Sequence, residues 1–234
     1  LRDGHAEGYL GHASRAGRLD VGDDATQAKE RLLADWWAAA ATNELRQVVM
    51  LAHRRADVID LNEAARDLLR RAGRLGDEGL VAGGRDFRAG DRVICRQNDS
   101  LLKVCNGTRA TVREVDPAAG VVTLQLDGGP IREIATRYAA EHLDHGYALT
   151  GHAAQGLTID RAFVLLRAEG ALAEWGYVVA SRARSETRLY AVGPEPVEEA
   201  GLPRRDPEST IRRLAGALTR TAAEPPTVTR PAQE

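Results

Sequence analysis

The chain has 234 residues, of which 43% are hydrophobic and 28% are charged, and its formal net charge is −2. This length suits one large domain or two modest ones, and the composition is ordinary for a soluble globular protein. Dedicated nucleic-acid-binding domains are usually strongly basic, so any DNA contact must come from a local patch. Because no apolar run approaches the ~20 residues that span a bilayer and no signal peptide is recognisable, we expect a cytoplasmic location and no membrane partner.

The chain starts at Leu1 rather than at methionine, which suggests a segment of a longer protein. Two cysteines, Cys95 and Cys105, are too few for a disulfide framework, so we expect reduced thiols. Together with His142 and His145 they match no compact zinc-ligand spacing. The sequence therefore predicts no metal site.

The first third of the chain predicts an α/β unit. Residues 10–24 predict a loop and a strand edge, and Asp24 or Thr26 is expected to cap a helix over 25–43. Residues 48–51 form an unbroken apolar run, typical of a strand buried on both faces of a parallel sheet. A helix, a buried strand and a second helix in series favour an α/β sheet.

The second helix is expected to be capped by Asp57 and followed by Gly73 at its C′ position. In the first helix, Trp36 and Trp37 are neighbours and point in different directions. We expect one in the core and one at an interface, rather than a pair that stacks on bases.

The middle of the chain, residues 85–143, alternates short β-rich stretches with turn signals at Asn106–Gly107, Asp116–Pro117 and Asp127–Gly128. This pattern predicts a small β-barrel inserted between two α/β segments. Four basic residues give the barrel a local bias that is expected to face DNA: Arg92, Arg96, Lys103 and Arg109.

The α/β pattern returns after residue 147. A small-residue stretch at 150–160 leads into an apolar strand, a short helix precedes 177–185, and 188–193 predict the last strand. The remainder predicts one amphipathic helix at about 208–219 and a disordered end.

Polar and small residues alternate between Thr150 and Gly156. Hydroxyl, imidazole and amide groups, here of Thr150, His152 and Gln155, are suitable partners for phosphate oxygens, and glycine lets a backbone approach a ligand closely. The alternative is an ordinary sharp loop before a strand.

Arg182 and Arg184 follow a buried apolar stretch. The fixed donor fork of guanidinium suits a phosphate group. The alternative is a pair of surface arginines bound to Glu174 or Glu186.

In this order, residues 150–156 and 181–183 resemble motifs V and VI of superfamily 1 DNA helicases, which are approximately T-x-H-x-x-Q-G and (T/S)-R-A. The match is closest to the RecD-like branch, which includes the helicase halves of TraA/TraI-type conjugative relaxases. The middle segment resembles the SH3-like insertion of that branch. The opening third, with its LADWW, VVMLAHRR and DLNEAAR stretches, is similar to the helicase part of TraA-type relaxases.

The resemblance covers about residues 15–193 and implies a RecA-like parallel sheet interrupted by a small SH3-like β-barrel. Residues 1–84 would begin the second RecA-like domain of a helicase, 85–143 would form the barrel, 144–193 would complete the domain, and 194–234 would be a tail.

The resemblance also implies roles for single residues. Thr150 and His152 would face single-stranded DNA, and Gln155 and Gly156 would lie near the nucleotide. Arg182 would be the arginine finger that reaches the γ-phosphate.

Arg54 and Arg55 follow the buried strand at the sheet edge where α/β proteins bind ligands. One of the two could be the family's motif IV phosphate contact, and a solvated charge run is the alternative.

The implied function is ATP-driven DNA unwinding or single-strand translocation, with 5′→3′ polarity. The sequence contains no GxxxxGK(S/T) motif, and no acidic Walker B pair follows an apolar strand. Since those elements bind phosphates and magnesium, ATP and Mg²⁺ would be bound mainly by a missing N-terminal RecA-like domain, and the chain alone is predicted to be inactive. Expected partners are that domain, single-stranded DNA and a relaxase domain. The alternatives are a non-catalytic single-strand-binding module and a docking domain.

Overall fold

The computed structural model describes residues 6–170, 172–193 and 207–220. In chain order the elements are α1 (Ala6–Arg15), β1 (Leu19–Gly22), α2 (Ala25–Thr42), β2 (Val48–Ala52), α3 (Arg55–Arg71), β3 (Gly79–Ala82), β4 (Arg85–Arg88), β5 (Arg92–Cys95), β6 (Arg109–Asp116), β7 (Val121–Leu126), β8 (Ile131–Ala135), α4 (Thr136–His142), β9 (Leu143–His145), β10 (Ala148–Thr150), β11 (Ile159–Leu166), α5 (Ala173–Ala180), β12 (Ala183–Val192) and α6 (Pro207–Thr219). A short 3₁₀ helix, Leu45–Gln47, precedes β2. Within the described ranges, no helix combines the length and apolar character needed to cross a bilayer.

A parallel sheet of five strands, in the order β1-β12-β11-β2-β10, forms the centre of the α/β unit. All five residues of β2 are buried, because helices cover both faces of the sheet. Val49 and Leu51 pack with α1, α5 and α6, whereas Met50 and Ala52 pack with α2 and α3 on the other face. The predicted strand buried on both faces is confirmed.

The predicted caps of the two helices differ in outcome. The side chain of Asp24 accepts a hydrogen bond from the backbone N–H of Gln27 at 2.8 Å and caps α2. Asp57 does not cap α3, because the helix begins at Arg55 and Asp57 lies in its first turn. Its carboxylate instead binds Arg167 at 2.8 Å and Lys29 at 2.7 Å.

The glycine that follows α3 and the burial of one of the two neighbouring tryptophans are as expected. Gly73 follows the helix with φ +63°, the left-handed conformation that glycine adopts most readily. Trp36 is fully buried in the core, and Trp37 is only half-buried beside it.

Both ends of the described chain belong to the core, which the sequence did not predict. Residues 10–15, expected as a loop, are part of α1, whose Ala6, Leu10 and Ala13 lie on one buried face. The glycines of this segment hid that helical spacing. The predicted helix near 208–219 is confirmed as α6, but Leu214 and Leu218 are buried against the same core rather than in a free tail. The predicted disorder of 221–234 lies outside the described residues.

Residues between α3 and β10 form a separate antiparallel sheet in the order β8-β7-β6-β5-β9, with its own apolar core. We call this part the barrel unit after its predicted form; its two outer strands, β8 and β9, do not pair among the described residues, so closure into a barrel stays a prediction. The four predicted strands are present as β5 to β8, and α4 is a short helix that was not predicted. The hairpin of β3 and β4 turns through Gly83 and Gly84, so the predicted boundary after residue 84 falls inside that turn. Cys95 is buried, Cys105 is exposed, and neither forms a disulfide. The predicted α/β class, with a parallel sheet and an inserted β unit, is confirmed.

The last turn of α5 contains residues 177–180, which were expected to follow a helix rather than to form one. β12 also begins earlier than predicted, at Ala183. Arg182 therefore lies at the junction of α5 and β12, which matters for the site below.

Buried polar contacts fix the barrel unit to the α/β unit where the chain leaves and returns. Asp91, fully buried, accepts hydrogen bonds from Arg66 of α3 at 2.9 Å and from the hydroxyl of Tyr147 at 2.7 Å. The side chain of Asn62 accepts from the backbone N–H of Tyr147 and of Ala148 at 2.9 and 3.0 Å. Because these groups are buried, they hold the start of β10 in one position relative to the barrel unit.

Candidate nucleic-acid and nucleotide site

Residues 151–158 form a loop between β10 and β11, which we call the 151–158 loop. β10 and β11 are both parallel to β2, which lies between them. The loop therefore starts at the carboxyl edge of the sheet and ends at the amino edge. It is the element that contacts both edges in the region of the predicted motifs.

At its start, the loop lines a cleft against the barrel unit. The cleft has a volume of about 330 Å³ and is lined by Thr150, His152, Gln155, Arg96 and Asn106, among others. His152 and Gln155 are exposed, and Thr150 is half-buried. The structure thus brings three of the predicted motif V residues together with one of the predicted basic residues of the barrel unit. We call this space the loop cleft.

Arg96 and Lys103 take different positions in the barrel unit. Arg96 pairs with Asp144 at 3.1 Å and lines the loop cleft. Lys103 is exposed, has φ +54° and does not line the cleft. Of the four basic residues, Arg96 is therefore the one placed beside the motif V residues.

The prediction that Arg92 and Arg109 face DNA is wrong, because both side chains are buried. Arg92 is 1% exposed and binds Asp127 through two hydrogen bonds of 2.8 and 2.5 Å. Arg109 is 6% exposed and donates to the carbonyl of Arg46 at 3.3 Å. Burial, and secondarily the charge of Arg92, lowers the pKa of Arg109 to about 10. Arg92 therefore pairs within the barrel unit, Arg109 contacts the segment before β2, and both are closed to a ligand on the surface.

Two glycines of the motif are required by the local geometry. A Cβ atom on Gly151 would lie 2.4 Å from the ring of Trp175, so no side chain fits there. Gly156 has φ +83°, a conformation that other residues adopt only with strain. Sequence analysis missed Trp175, which is buried beneath the loop and packs edge-on against His53 with ring centroids 5.6 Å apart.

Arg182 lies at the amino edge of the sheet, at the other end of the loop. Its guanidinium donates to the carbonyl of Val178 at 2.9 Å, to the hydroxyl of Ser181 at 2.7 Å and to the carbonyl of Leu157 at 3.4 Å. The backbone N–H of Ile159 also donates to the carbonyl of Arg182 at 3.2 Å. The groups that accept from the Arg182 guanidinium, two backbone carbonyls and one hydroxyl, are all neutral. No carboxylate among the described residues forms an ion pair with Arg182.

The alternative for the two arginines was pairing with nearby glutamates. Glu186 instead faces Arg161 and Arg188, each at 3.8 Å. Arg184 is exposed on β12 and shows no ion pair with the described residues. The alternative is therefore not supported for Glu186.

Arg54 and Arg55 lie at the carboxyl edge, away from Arg182. β2 ends at Ala52, which pairs with Thr150 on one side and Leu165 on the other. In β11, Ile159 pairs with Ala183 at the start of β12, and Leu165 pairs with Ala52 at the end of β2. At ~3.3 Å per residue, these two levels of the sheet lie about 20 Å apart. The two predicted phosphate contacts therefore do not converge on one group.

The two arginines also differ from each other. Arg54 forms an ion pair with Glu169. Arg55 is exposed and lines a second cleft of about 250 Å³ together with Thr150 and Arg96. Because Thr150 and Arg96 also line the loop cleft, Arg55 lies on the side of the predicted DNA contacts.

Solved structures of Pif1 proteins are distantly similar to part of the chain. Bacteroides Pif1 bound to single-stranded DNA is 20% identical, covers 62% of this chain and 41% of that chain, and gives a TM-score of 0.43. Pif1 from Candida albicans is 16% identical, with coverages of 61% and 44% and a TM-score of 0.39. Both TM-scores lie below 0.5, so this likeness says nothing about how the present chain works.

No protein-family model matches the chain. The conjugal transfer protein TraA of Agrobacterium fabrum (strain C58) is 36% identical over 170 residues, which are 70% of this chain and 15% of that protein. A probable conjugal transfer protein TraA of Sinorhizobium fredii (strain NBRC 101917 / NGR234) is 32% identical over 188 residues, with coverages of 74% and 16%. The chain spans about one sixth of the length of these relatives. Over most of its length the chain is similar in sequence to one segment of TraA proteins, which confirms the resemblance to TraA-type relaxases that its motifs predicted.

Proposed function

We propose that the chain is the second RecA-like half of an ATP-dependent DNA helicase or translocase that acts on single-stranded DNA. One observation carries this proposal: a single loop joins an open polar cleft at one sheet edge to an arginine at the other edge that has no counter-charge among the described residues.

At the carboxyl edge, the loop cleft suits a single nucleic-acid strand. Thr150, His152, Gln155 and Asn106 offer hydrogen-bonding groups, and Arg96 offers a positive charge. Such groups contact phosphate and sugar without reading sequence. Exposed Arg55 extends the same edge. We therefore assign this edge to the DNA strand.

At the amino edge, Arg182 suits a phosphate group. A guanidinium held only by neutral oxygens keeps its full charge for an anionic ligand. ATP and Mg²⁺ fit this chain only in part. Among the described residues, no group of three or more His, Cys, Asp or Glu side chains could hold a metal ion. We therefore propose that a separate domain binds ATP and Mg²⁺, and that Arg182 reaches the γ-phosphate from this chain.

When bound, ATP would supply the phosphoryl group whose transfer drives the motor. Arg182 would stabilise the negative charge that develops in the transition state. To do so its side chain must give up neutral acceptors, one of which is the carbonyl of Leu157 in the loop. The hydrogen bond from the backbone N–H of Ile159 to the carbonyl of Arg182 would transmit the movement of Arg182 to the end of the loop. The grip of Thr150 and His152 on the strand would change as a result.

The relatives suggest a setting for this activity. TraA proteins are conjugal transfer proteins by name, so we propose that the motor acts in conjugal DNA transfer, next to a relaxase domain. The resemblance to RecD-like helicases supports 5′→3′ movement. The sequence upstream of this chain tests the arrangement, because a motor requires a GxxxxGK(S/T) motif there.

The isolated chain offers a first experiment. It should bind a labelled single strand weakly, because few cationic groups contact the phosphates. The affinity should fall as salt increases, because those contacts release counterions. It should release no phosphate from ATP above background. Fluorescence anisotropy and a phosphate-release assay measure the two properties. ATP turnover that stays with the chain through purification would contradict the proposal, and DNA binding without an upstream phosphate-binding motif would favour a non-catalytic binding module.

A further inference from the structure

A third cleft lies on the barrel unit, next to the segment that lines the loop cleft. It has a volume of about 500 Å³ and lies between residues 97–102 and helix α4. This volume is within the ~300–1,000 Å³ range of small-ligand pockets. We call it the barrel cleft. None of the motifs described above lies in it.

The barrel cleft is lined by aromatic, apolar and amide side chains and by three charged residues, Asp99, Arg137 and Glu141. The rings of Tyr138 and His142 lie 5.3 Å apart at an interplanar angle of 68°. Leu101 is 93% exposed at the rim, and Gln97 is exposed beside it. Aromatic rings and neutral amides suit a flat, uncharged, hydrogen-bonding group better than a phosphate.

The loop that presents Leu101 is held in one conformation. The carboxylate of Asp99 accepts hydrogen bonds from the backbone N–H groups of Leu101 and Leu102, both at 2.9 Å. The hydroxyl of Tyr138 donates to the carbonyl of Gln97 at 2.7 Å. These contacts position the backbone of the loop, and Leu101 offers an exposed apolar surface at the rim of the cleft.

A hydrogen bond connects the barrel cleft to the loop cleft. The side chain of Asn98, in the barrel cleft, accepts from the backbone N–H of Asn106, in the loop cleft, at 2.7 Å. Arg96 in the loop cleft directly precedes Gln97 in the barrel cleft. The two clefts are therefore lined by neighbouring residues of one short segment, and this adjacency places them next to each other.

We propose that the barrel cleft binds one unstacked base of the DNA strand whose backbone lies in the loop cleft. This inference rests on the proposed function, since it uses the same strand. The base would stack on Tyr138 and contact Leu101, and the free amide of Gln97 would meet its polar edge. Because every base has a stacking face, the site would tolerate any sequence.

The test compares two labelled strands of equal length, an oligothymidylate and a strand whose central residues are abasic. Both carry the same phosphates, but only the first has bases throughout. The intact chain should bind the oligothymidylate more tightly by about tenfold. Tyr138→Leu should lose about that factor on the oligothymidylate and almost nothing on the abasic strand. Tyr138→Phe, which keeps the ring, should retain the affinity.

Two further variants complete the experiment. Tyr177→Leu makes the same chemical change on α5, outside both clefts, and should leave both affinities unchanged. Leu101→Ala replaces an exposed side chain that supports no core, and should weaken oligothymidylate binding about threefold without affecting the abasic strand. If thermal melting shows that Tyr138→Leu does not fold, Leu101→Ala decides the question.

The outcomes separate the two proposals. If the intact chain binds neither strand, the proposed function fails and the base site fails with it. If the chain binds and His152→Ala weakens binding, while Tyr138→Leu and Leu101→Ala bind both strands as the intact chain does, the DNA assignment stands and the base site is wrong.

Discussion

The 151–158 loop and the strands of the barrel unit both carry polar residues that the sequence assigned to DNA, yet the structure treats them in opposite ways. His152 of the loop is exposed in a cleft, which Gln155, predicted to lie near the nucleotide, also lines. Arg92 and Arg109 of the strands are buried. The difference shows that the role of a charged residue depends on what faces it across the strand as much as on its type.

The charge balance explains the contrast. Arg92 is compensated by Asp127, which binds it through two hydrogen bonds, and such a pair is satisfied within the fold. Arg182 has only neutral acceptors among the described residues. Buried Arg92, paired with Asp127, is closed to a ligand, whereas half-buried Arg182, held by neutral acceptors among the described residues, remains available to an anionic ligand.

The largest expected effect separates the two arginines of motif VI. In the complete motor, Arg182→Ala should lower ATP turnover by about 10³–10⁵-fold while nucleotide and DNA binding persist, because a finger acts on transition-state charge. Arg182→Lys should restore little, since an ammonium lacks the planar fork. Steady-state ATPase assays measure this effect.

Arg184→Ala is the matched control and should turn over ATP nearly normally, because Arg184 is exposed on β12 and the motif match places Arg182 at the phosphate. Each variant is checked for folding by thermal melting. An inactive Arg184→Ala together with an active Arg182→Ala would show that the wrong arginine was assigned, and normal turnover in all three would remove the motif VI assignment.

The next effect concerns stability. Asp127→Asn should lower the free energy of unfolding by about 3 kcal/mol, because it leaves the guanidiniums of Arg92 and Arg109 buried without a carboxylate. Asp67→Asn, an exposed change on α3, should stay within about 0.5 kcal/mol of the unmodified chain. Chemical denaturation gives both values. Equal stability of the two variants would mean that Arg92 and Arg109 are not buried as described.

A smaller effect should appear in the pH dependence of stability. Burial lowers the pKa of His145, although the carboxylate of Asp91 at 3.9 Å opposes it. Below the ordinary value near 6.5 the unfolded chain therefore binds a proton that the folded chain does not, and stability falls as pH drops from about 6.5 towards the lowered pKa. His145→Gln should flatten that fall.

Denaturant unfolding between pH 7 and pH 5 measures the slope. His12→Gln, at an exposed position of α1, should leave the slope unchanged. A slope of stability against pH that is the same in His145→Gln and in the unmodified chain would contradict the burial of the His145 side chain at the end of β9.

The smallest expected effect lies in the loop cleft. His152→Ala should weaken single-strand binding by about two- to tenfold, the range expected for one neutral hydrogen bond, without changing thermal stability. His12→Ala is the control and should bind as the unmodified chain does. Fluorescence anisotropy at low salt measures both, and equal affinities for the two variants would exclude His152 from the DNA contact.

Local sequence signals predicted the elements that local chemistry determines. The apolar run of β2, the Asp24 cap, Gly73 and the turns of the barrel unit all follow from residue type and spacing. Helix α1 was missed because its glycines weaken the helical pattern, and its burial depends on contact with α6 at the other end of the chain.

The candidate site could be predicted in part for the same reason. The polar residues of the 151–158 loop are recognisable from residue type and spacing, and the structure places them together. The burial of Arg92 depends on Asp127, 35 residues away, and the position of Trp175 beneath Gly151 depends on the packing of α5. No local pattern specifies such pairings, since they arise from the tertiary fold.

Hydrogen exchange of the chain with and without a short single strand tests the central claim most directly. Exchange should slow in the 151–158 loop and in the segment 96–107, whose residues 96, 106 and 107 line the loop cleft, and should be unchanged in α1. Exchange near Arg182 should slow less, through the hydrogen bond from the backbone N–H of Ile159 to the carbonyl of Arg182. Protection confined to α1 and α6, with none in the two loops, would contradict the assignment of the DNA site.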